Sequence, residues 1–227
     1  MNGTSLSVAI VALLMTSPLA AQDDKNWDGL TRVKSHHLDA VYLMPQADFG
    51  EYAKVMLDPT EVAFRKNWQR DSSDPFQGGR VSDADARKIL EAAREEFEKL
   101  FAAAYTKAGY EVVMVPGPDV LRVETAVINL DIEAPDSHAA GRVRTYSREA
   151  GSATLVVEAR DSLSGALLGR AVDAQAAGDF GPYLRNSVTN RADFQNLFAR
   201  WAKQAAEGLT ELKALSPVSA GTVGDKR

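Results

Sequence analysis

The chain has 227 residues, a quarter of them charged, with a net charge of -5 and no cysteine. That length fits one domain with a real core, and the balance of charge gives no basic footprint for nucleic acid. The missing cysteines exclude disulfides, thiolate metal sites, a cysteine nucleophile and a lipidated cysteine, so stability has to come from packing.

Residues 1–21 read as a signal peptide cut after Ala21. Leu6 to Met15 is apolar apart from Ser7, the small pair Ala20-Ala21 follows, and the acidic pair Asp23-Asp24 stands just beyond. The expected mature chain is one domain over 22–215 with a disordered tail over 216–227. The chain is therefore expected to be periplasmic or secreted and, without a cysteine, not a lipoprotein.

From Gln22 to His37 the chain is polar and without period, which predicts an extended arm held by Trp27 and Leu30. Strands are predicted over Leu38–Met44, Glu51–Leu57 and Glu61–Trp68, with Pro59 forbidding one continuous strand across the last two. Asp71 to Gly79 reads as a surface loop. A long amphipathic helix follows from about Ser82 to Ala108, some 40 Å at about 1.5 Å per residue. Ser82 is its N-cap with Asp85 three residues on, Ile89, Leu90, Ala93, Phe97, Leu100, Phe101, Ala104 and Tyr105 form its stripe, and Gly109 ends it.

Tyr110 to Val115 and Leu121 to Ile132 are predicted strands around a turn at Pro116-Gly117-Pro118-Asp119. A polar segment, Glu133 to Gly151, comes next. Ala153–Asp161 and Leu167–Asp173 then form a hairpin across Ser162 to Gly165, and a loop from Gly178 to Asn190 leads to a second helix, about Arg191 to Ala214, capped by Thr189 or Asn190. Its stripe is Phe194, Leu197, Phe198, Trp201, Ala205, Leu209 and Leu212. This order predicts an α/β fold of the α+β type: a largely antiparallel mixed sheet with both helices packed on one face. The hairpin residues Leu155, Val157, Ala159, Gly169 and Ala171 are small enough to let helices approach.

Chemistry is sparse. His36, His37 and Asp39 form a poor metal set, since neighbours on a strand point to opposite faces, and His138 lies in the polar segment. No serine triad, dinucleotide fingerprint or P-loop is present, and the sequence calls for no cofactor. Glu124, Asp131, Glu158, Asp161 and Asp173 lie on or beside strands. Asp161 suits a turn bond, and if it opposes Leu167 then Glu158 lies across from Arg170 as an ion pair. That pair is the alternative, catalytic site. The candidate partner surface is Arg142, Arg144, Tyr146 and Arg148, where guanidinium groups suit an envelope protein, a glycan or a lipid head group.

Several runs together resemble a bacterial envelope family catalogued as domain of unknown function 3313, whose members are exported proteins and lipoproteins of Gram-negative bacteria. They are Tyr52 to Pro59 with Val62-Ala63-Phe64, Pro116 to Arg122, Val157 to Ser162 through Gly165 to Asp173, and Phe198 to Ala202. The resemblance implies export and an α/β fold, and it brings no activity, cofactor or catalytic residue. Lacking a cysteine after the apolar run, this chain departs from the lipoprotein members. The expected function is a non-enzymatic binding or assembly-accessory domain, with a hydrolase using the sheet carboxylates as the alternative; the oligomeric state is left open.

Overall fold

The computed structural model describes residues 26–73, 81–133, 146–147, 149–178, 183–184 and 187–218. The strands are β1 (Asn26–Trp27), β2 (Leu30–Val33), β3 (Ala40–Leu43), β4 (Lys54–Leu57) and β5 (Glu61–Phe64), then β6 (Glu111–Val113), β7 (Val120–Ile132), β8 (Tyr146–Ser147), β9 (Gly151–Asp161), β10 (Leu167–Ala177) and β11 (Tyr183–Leu184). The helices are α1 (Trp68–Asp71), α2 (Asp83–Lys107) and α3 (Ser187–Leu215). One sheet runs β1-β2-β3-β10-β9-β7-β4-β6, with β5 also on β7, and β8 pairs with β11 apart from it.

The sheet is mixed and mostly antiparallel, as expected. Its parallel part has a simple cause: β4 and β5 precede α2 while β6 and β7 follow it, and strands joined by a crossover helix run parallel. Leu57 ends β4 and Glu61 starts β5, so Pro59 breaks the strand where expected, and the two pieces share one edge of β7 in succession. Thr60 at the break is buried and fully held. Its hydroxyl meets that of Thr125 at 2.7 Å, its N–H donates to Glu98, and its carbonyl accepts from Arg94 of α2.

Ser82 caps α2 by accepting from the Asp85 N–H at 3.1 Å while its hydroxyl donates to the Asp85 carboxylate. Gly109, at φ 94°, ends the helix. Both long helices lie on one face of the sheet and run the same way, because Arg191 near the start of α3 meets Glu96 midway along α2, and Tyr110 just past α2 meets Thr210 near the end of α3. Their stripes join in a chain of rings. Phe97 stacks on Phe101 at 4.4 Å and meets Phe198 edge-on at 5.5 Å, and Phe198 continues to Phe194 and Trp201. Leu155 and Val157 of β9, with Val123 and Val127 of β7, receive these rings. On the same face, a Cβ at Gly169 would stand 2.8 Å from Leu43 and 3.2 Å from the Tyr42 carbonyl, so the glycine sets how closely β10 and β3 approach.

Five expectations need correction. The amino-terminal arm is a hairpin, β1–β2, turning on Asp28 and Gly29, both at positive φ, which suits a two-residue turn. Glu61–Trp68 is not all strand: it ends at Phe64, Asn67 turns left-handed at φ 64°, and Trp68 opens α1, stacked on Phe64 at 3.8 Å with its indole N–H on the Ile132 carbonyl. Helix α3 starts at Ser187, so Thr189 and Asn190 lie within it. The hairpin end is shifted, with Leu167 opposite Arg160; a bulge after Leu167 restores Arg170 opposite Glu158. Finally, the first residues of the expected tail are docked. Ser216 Oγ accepts from the Phe49 N–H, and the N–H of buried Val218 donates to the Ala47 carbonyl.

Phe97 and Trp201 are fully buried. Phe97→Ala and Trp201→Ala should each destabilise the protein by about 3 to 5 kcal/mol in chemical denaturation, and losses under about 1 kcal/mol in both would contradict the shared helix layer.

Candidate functional site

Strands β7, β9 and β10 alternate, so the residues between their buried positions line the sheet face opposite the helices. There they build one ladder of alternating charge. Asp58 holds Arg122 (Oδ2 to Nε, 3.0 Å), Glu124 lies 3.4 Å from both Arg122 and Arg160, Glu158 takes Arg160 on one oxygen and Arg170 on the other, and Arg170 ends on Asp28 at 2.9 Å. The ladder reaches from the end of β4 to the β1–β2 turn. The expected Glu158–Arg170 pair lies at its centre, with Arg170 Nε and Nη2 at 2.7 and 2.6 Å from Glu158 Oε1.

Burial pushes the Glu158 carboxyl up, but hydrogen bonds from Arg170 and Arg160 outweigh it and hold the group below its ordinary 4.5. A carboxylate so held has both oxygens occupied and little tendency to take up a proton near neutral pH, which is the opposite of a poised general acid. The ladder does mechanical work, tying the edge hairpin to the central strands.

The other acids also have local partners. Asp131 meets Arg65 Nε at 2.7 Å. Asp161 accepts from the N–H and hydroxyl of Ser164 within the turn, and from the Tyr52 hydroxyl at 3.1 Å. Burial first, and Asp161 next, push the Tyr52 phenol well up. Asp173 is buried and accepts from the Trp201 indole at 2.6 Å, the Gln175 amide at 2.6 Å and the Asp39 N–H at 2.9 Å. His37 Nε2 lies 3.0 Å from Glu211 Oε2, and the described residues hold no group of three or more metal-ligating side chains. Arg142, Arg144, Arg148 and His138 lie outside the described residues, and Tyr146 is placed only as backbone in β8.

Sequence reasoning missed one concavity. A groove of about 480 Å³ lies between the amino-terminal halves of α2 and α3, over the end of β7. Leu130 and Ile132 come from the strand, Ile89, Ala92 and Ala93 from α2, and Phe194 and Phe198 from α3. The space arises because α2 presents two alanines where α3 presents phenylalanines; that Ala-Ala step was the available signal, but its meaning depends on which helix lies opposite. Asp85, Lys88, Glu96, Arg191 and Gln195 are its polar lining, with Arg191 3.7 Å from Glu96. Asn190 also lines the groove and is 5% exposed. Its Nδ2 donates to the Glu133 carbonyl at 2.7 Å, while its Oδ1 has no partner among the described residues. A smaller cavity, about 90 Å³, lies beneath the carboxyl-terminal half of α3 beside His37 and Glu211.

A family model described as "Protein of unknown function (DUF3313)" matches residues 19–205. No curated protein matches the chain. Solved structures align at low similarity. A PelC dodecamer from Paraburkholderia phytofirmans is 12% identical over 72% of this chain and 94% of that one, with a TM-score of 0.35. Protein XCC0632 from Xanthomonas campestris is 12% identical over 75% and 88%, with a TM-score of 0.38. A homologue of a neuraminyllactose-binding hemagglutinin from Helicobacter pylori is 9% identical over 76% and 95%, with a TM-score of 0.36.

Glu158→Gln should cost about 1 to 3 kcal/mol at pH 7, because it removes charge-assisted bonds to two arginines. Since the folded-state value lies below 4.5, the stabilisation is complete above that pH and fades as pH falls through the folded value. The stability gap between wild type and variant should therefore narrow as pH falls through the folded value; a gap that stays constant however far the pH is lowered would contradict the clamp.

Proposed function

The chain belongs to the DUF3313 family, and we propose on that footing that it is an exported, periplasmic, non-enzymatic binding module that holds an apolar guest between its two long helices. One observation carries the reading. The groove between α2 and α3 is open, lined largely by apolar side chains, and its volume falls within the roughly 300–1,000 Å³ of small-molecule sites.

The charged residues support binding rather than chemistry. Glu124, Glu158 and Asp131 each have an arginine partner, so the alternative of a hydrolase using sheet carboxylates has less in its favour. Export is supported by the apolar run Leu6 to Met15 and the small pair Ala20-Ala21, and with no cysteine to lipidate the product is a soluble periplasmic protein. Arg142, Arg144, Tyr146 and Arg148 are proposed as a separate contact for an envelope protein or for anionic groups of glycan or lipid.

Two measurements test this. Mass spectrometry of the exported protein should find Gln22 as its first residue, and a mass retaining residues 1–21 would refute the soluble form. N-phenyl-1-naphthylamine, an apolar fluorescent probe, should bind saturably to the full chain. Ala93→Phe, which fills the groove, should weaken it by roughly ten-fold, about 1.4 kcal/mol, at unchanged melting temperature. Equal binding to a folded Ala93→Phe protein would place the probe elsewhere and end the groove reading.

A further inference from the structure

We infer that the guest is a single-chain amphiphile with a singly charged anionic head, a carboxylate, whose chain lies in the groove between α2 and α3 and whose head pairs with the Lys88 ammonium at the rim. The inference rests on the reading of that groove as a binding site and adds the chemistry of what fills it. Lys88 lines the groove from α2 and is exposed. Ile89 and Ala92, the next residue and the one a turn further on, line it too, so the stem of Lys88 belongs to the apolar wall while its charged end stays in water. Among the described residues that ammonium has neither a hydrogen bond nor an ion pair.

The other charges of the lining already have partners. The Asp85 carboxylate takes the Ser82 hydroxyl at 2.6 Å in the cap of α2, and Glu96 faces Arg191 at 3.7 Å. A cationic head would have to draw one of these carboxylates from its partner, whereas an anionic head at Lys88 displaces nothing. One ammonium also balances one negative charge. A phosphate monoester, which carries closer to two at neutral pH, would turn the excess toward Asp85 and Glu96. Hydrogen-bonding capacity decides the rest of the molecule: a saccharide carries many hydroxyls that a groove floored by Leu130, Ile132, Phe194 and Phe198 cannot satisfy. A hydrocarbon chain meets those side chains with no polar group left over.

The test is competition against N-phenyl-1-naphthylamine on the full chain at neutral pH by decanoate, 1-decanol and decyltrimethylammonium, which share one chain and differ in the charge of the head. Decanoate should displace the probe at roughly five-fold lower concentration than the alcohol, although the alcohol is the more apolar, and the cationic amphiphile should be the weakest of the three. Lys88→Met keeps an unbranched apolar stem and removes the charge. Lying at an exposed position, it should fold with an unchanged melting temperature, and on that variant decanoate should be no better than the alcohol. An alcohol or a cationic amphiphile that competes as well as decanoate on wild type would overturn the anionic guest while leaving the groove as an apolar site. An advantage of decanoate that persists in Lys88→Met would overturn the pairing with Lys88. A probe that does not bind wild type would overturn the groove reading and this inference together.

Discussion

Two helices of more than twenty residues share one face of one sheet, and the contact that makes this possible is the edge-on meeting of Phe97 with Phe198. Edge-to-face rings allow close approach without a gap, and each ring is continued along its own helix, by Phe101 on one side and by Phe194 and Trp201 on the other. Everything placed on that face is arranged around this pair. Toward the carboxyl ends Tyr105, Tyr110 and Leu209 fill most of the space and leave the smaller cavity. Toward the amino ends α2 changes to Ala92 and Ala93, and the same two helices enclose a groove in place of a core. Core and candidate site are two stretches of one interface that differ in side-chain volume.

The opposite sheet face is governed by charge. A sheet with helices on one side only must present its other side to solvent, and here that side is stitched by arginines set between carboxylates from Asp58 to Asp28. Such pairs contribute little individually in water, but a ladder crossing several strands fixes their mutual alignment. The two faces thus separate tasks: one holds the sheet in register, the other keeps an apolar space available.

Much of this was legible because it is local. The cap at Ser82, the stripe from Ile89 to Tyr105, the break at Pro59 and the opposition of Glu158 and Arg170 each depend on neighbours a few residues away or on one hairpin. The β1–β2 hairpin was equally local, since Asp28-Gly29 is a strong turn signal, but its strands are too short to show alternation. Trp68 looked like the end of a strand because the left-handed turn at Asn67 has no marker beyond the asparagine itself. The groove was illegible for another reason: an alanine pair on a helix marks a close contact or a space depending on what faces it, and the facing Phe194 lies on a helix about a hundred residues away. Asp173 is similar. As a strand residue it reads as exposed, and only the approach of Trp201 and the Asp39 backbone makes it a buried acceptor.

That carboxylate has a consequence in time as well as in space. The Asp39 N–H donates to Asp173 across a separation of 134 residues, the Asp39 carboxylate accepts from the neighbouring Ala174 N–H, and β3 has its inner ladder partner only in β10. A chain emerging amino end first therefore carries β2 and β3 with one long edge unsatisfied until nearly all of it has appeared, and the lock on Asp173 waits further, for Trp201. Closing so long a loop is entropically slow compared with forming α2 or the β9–β10 hairpin. Completion of the sheet thus waits for β10, and the burial of Asp173 waits for the last helix.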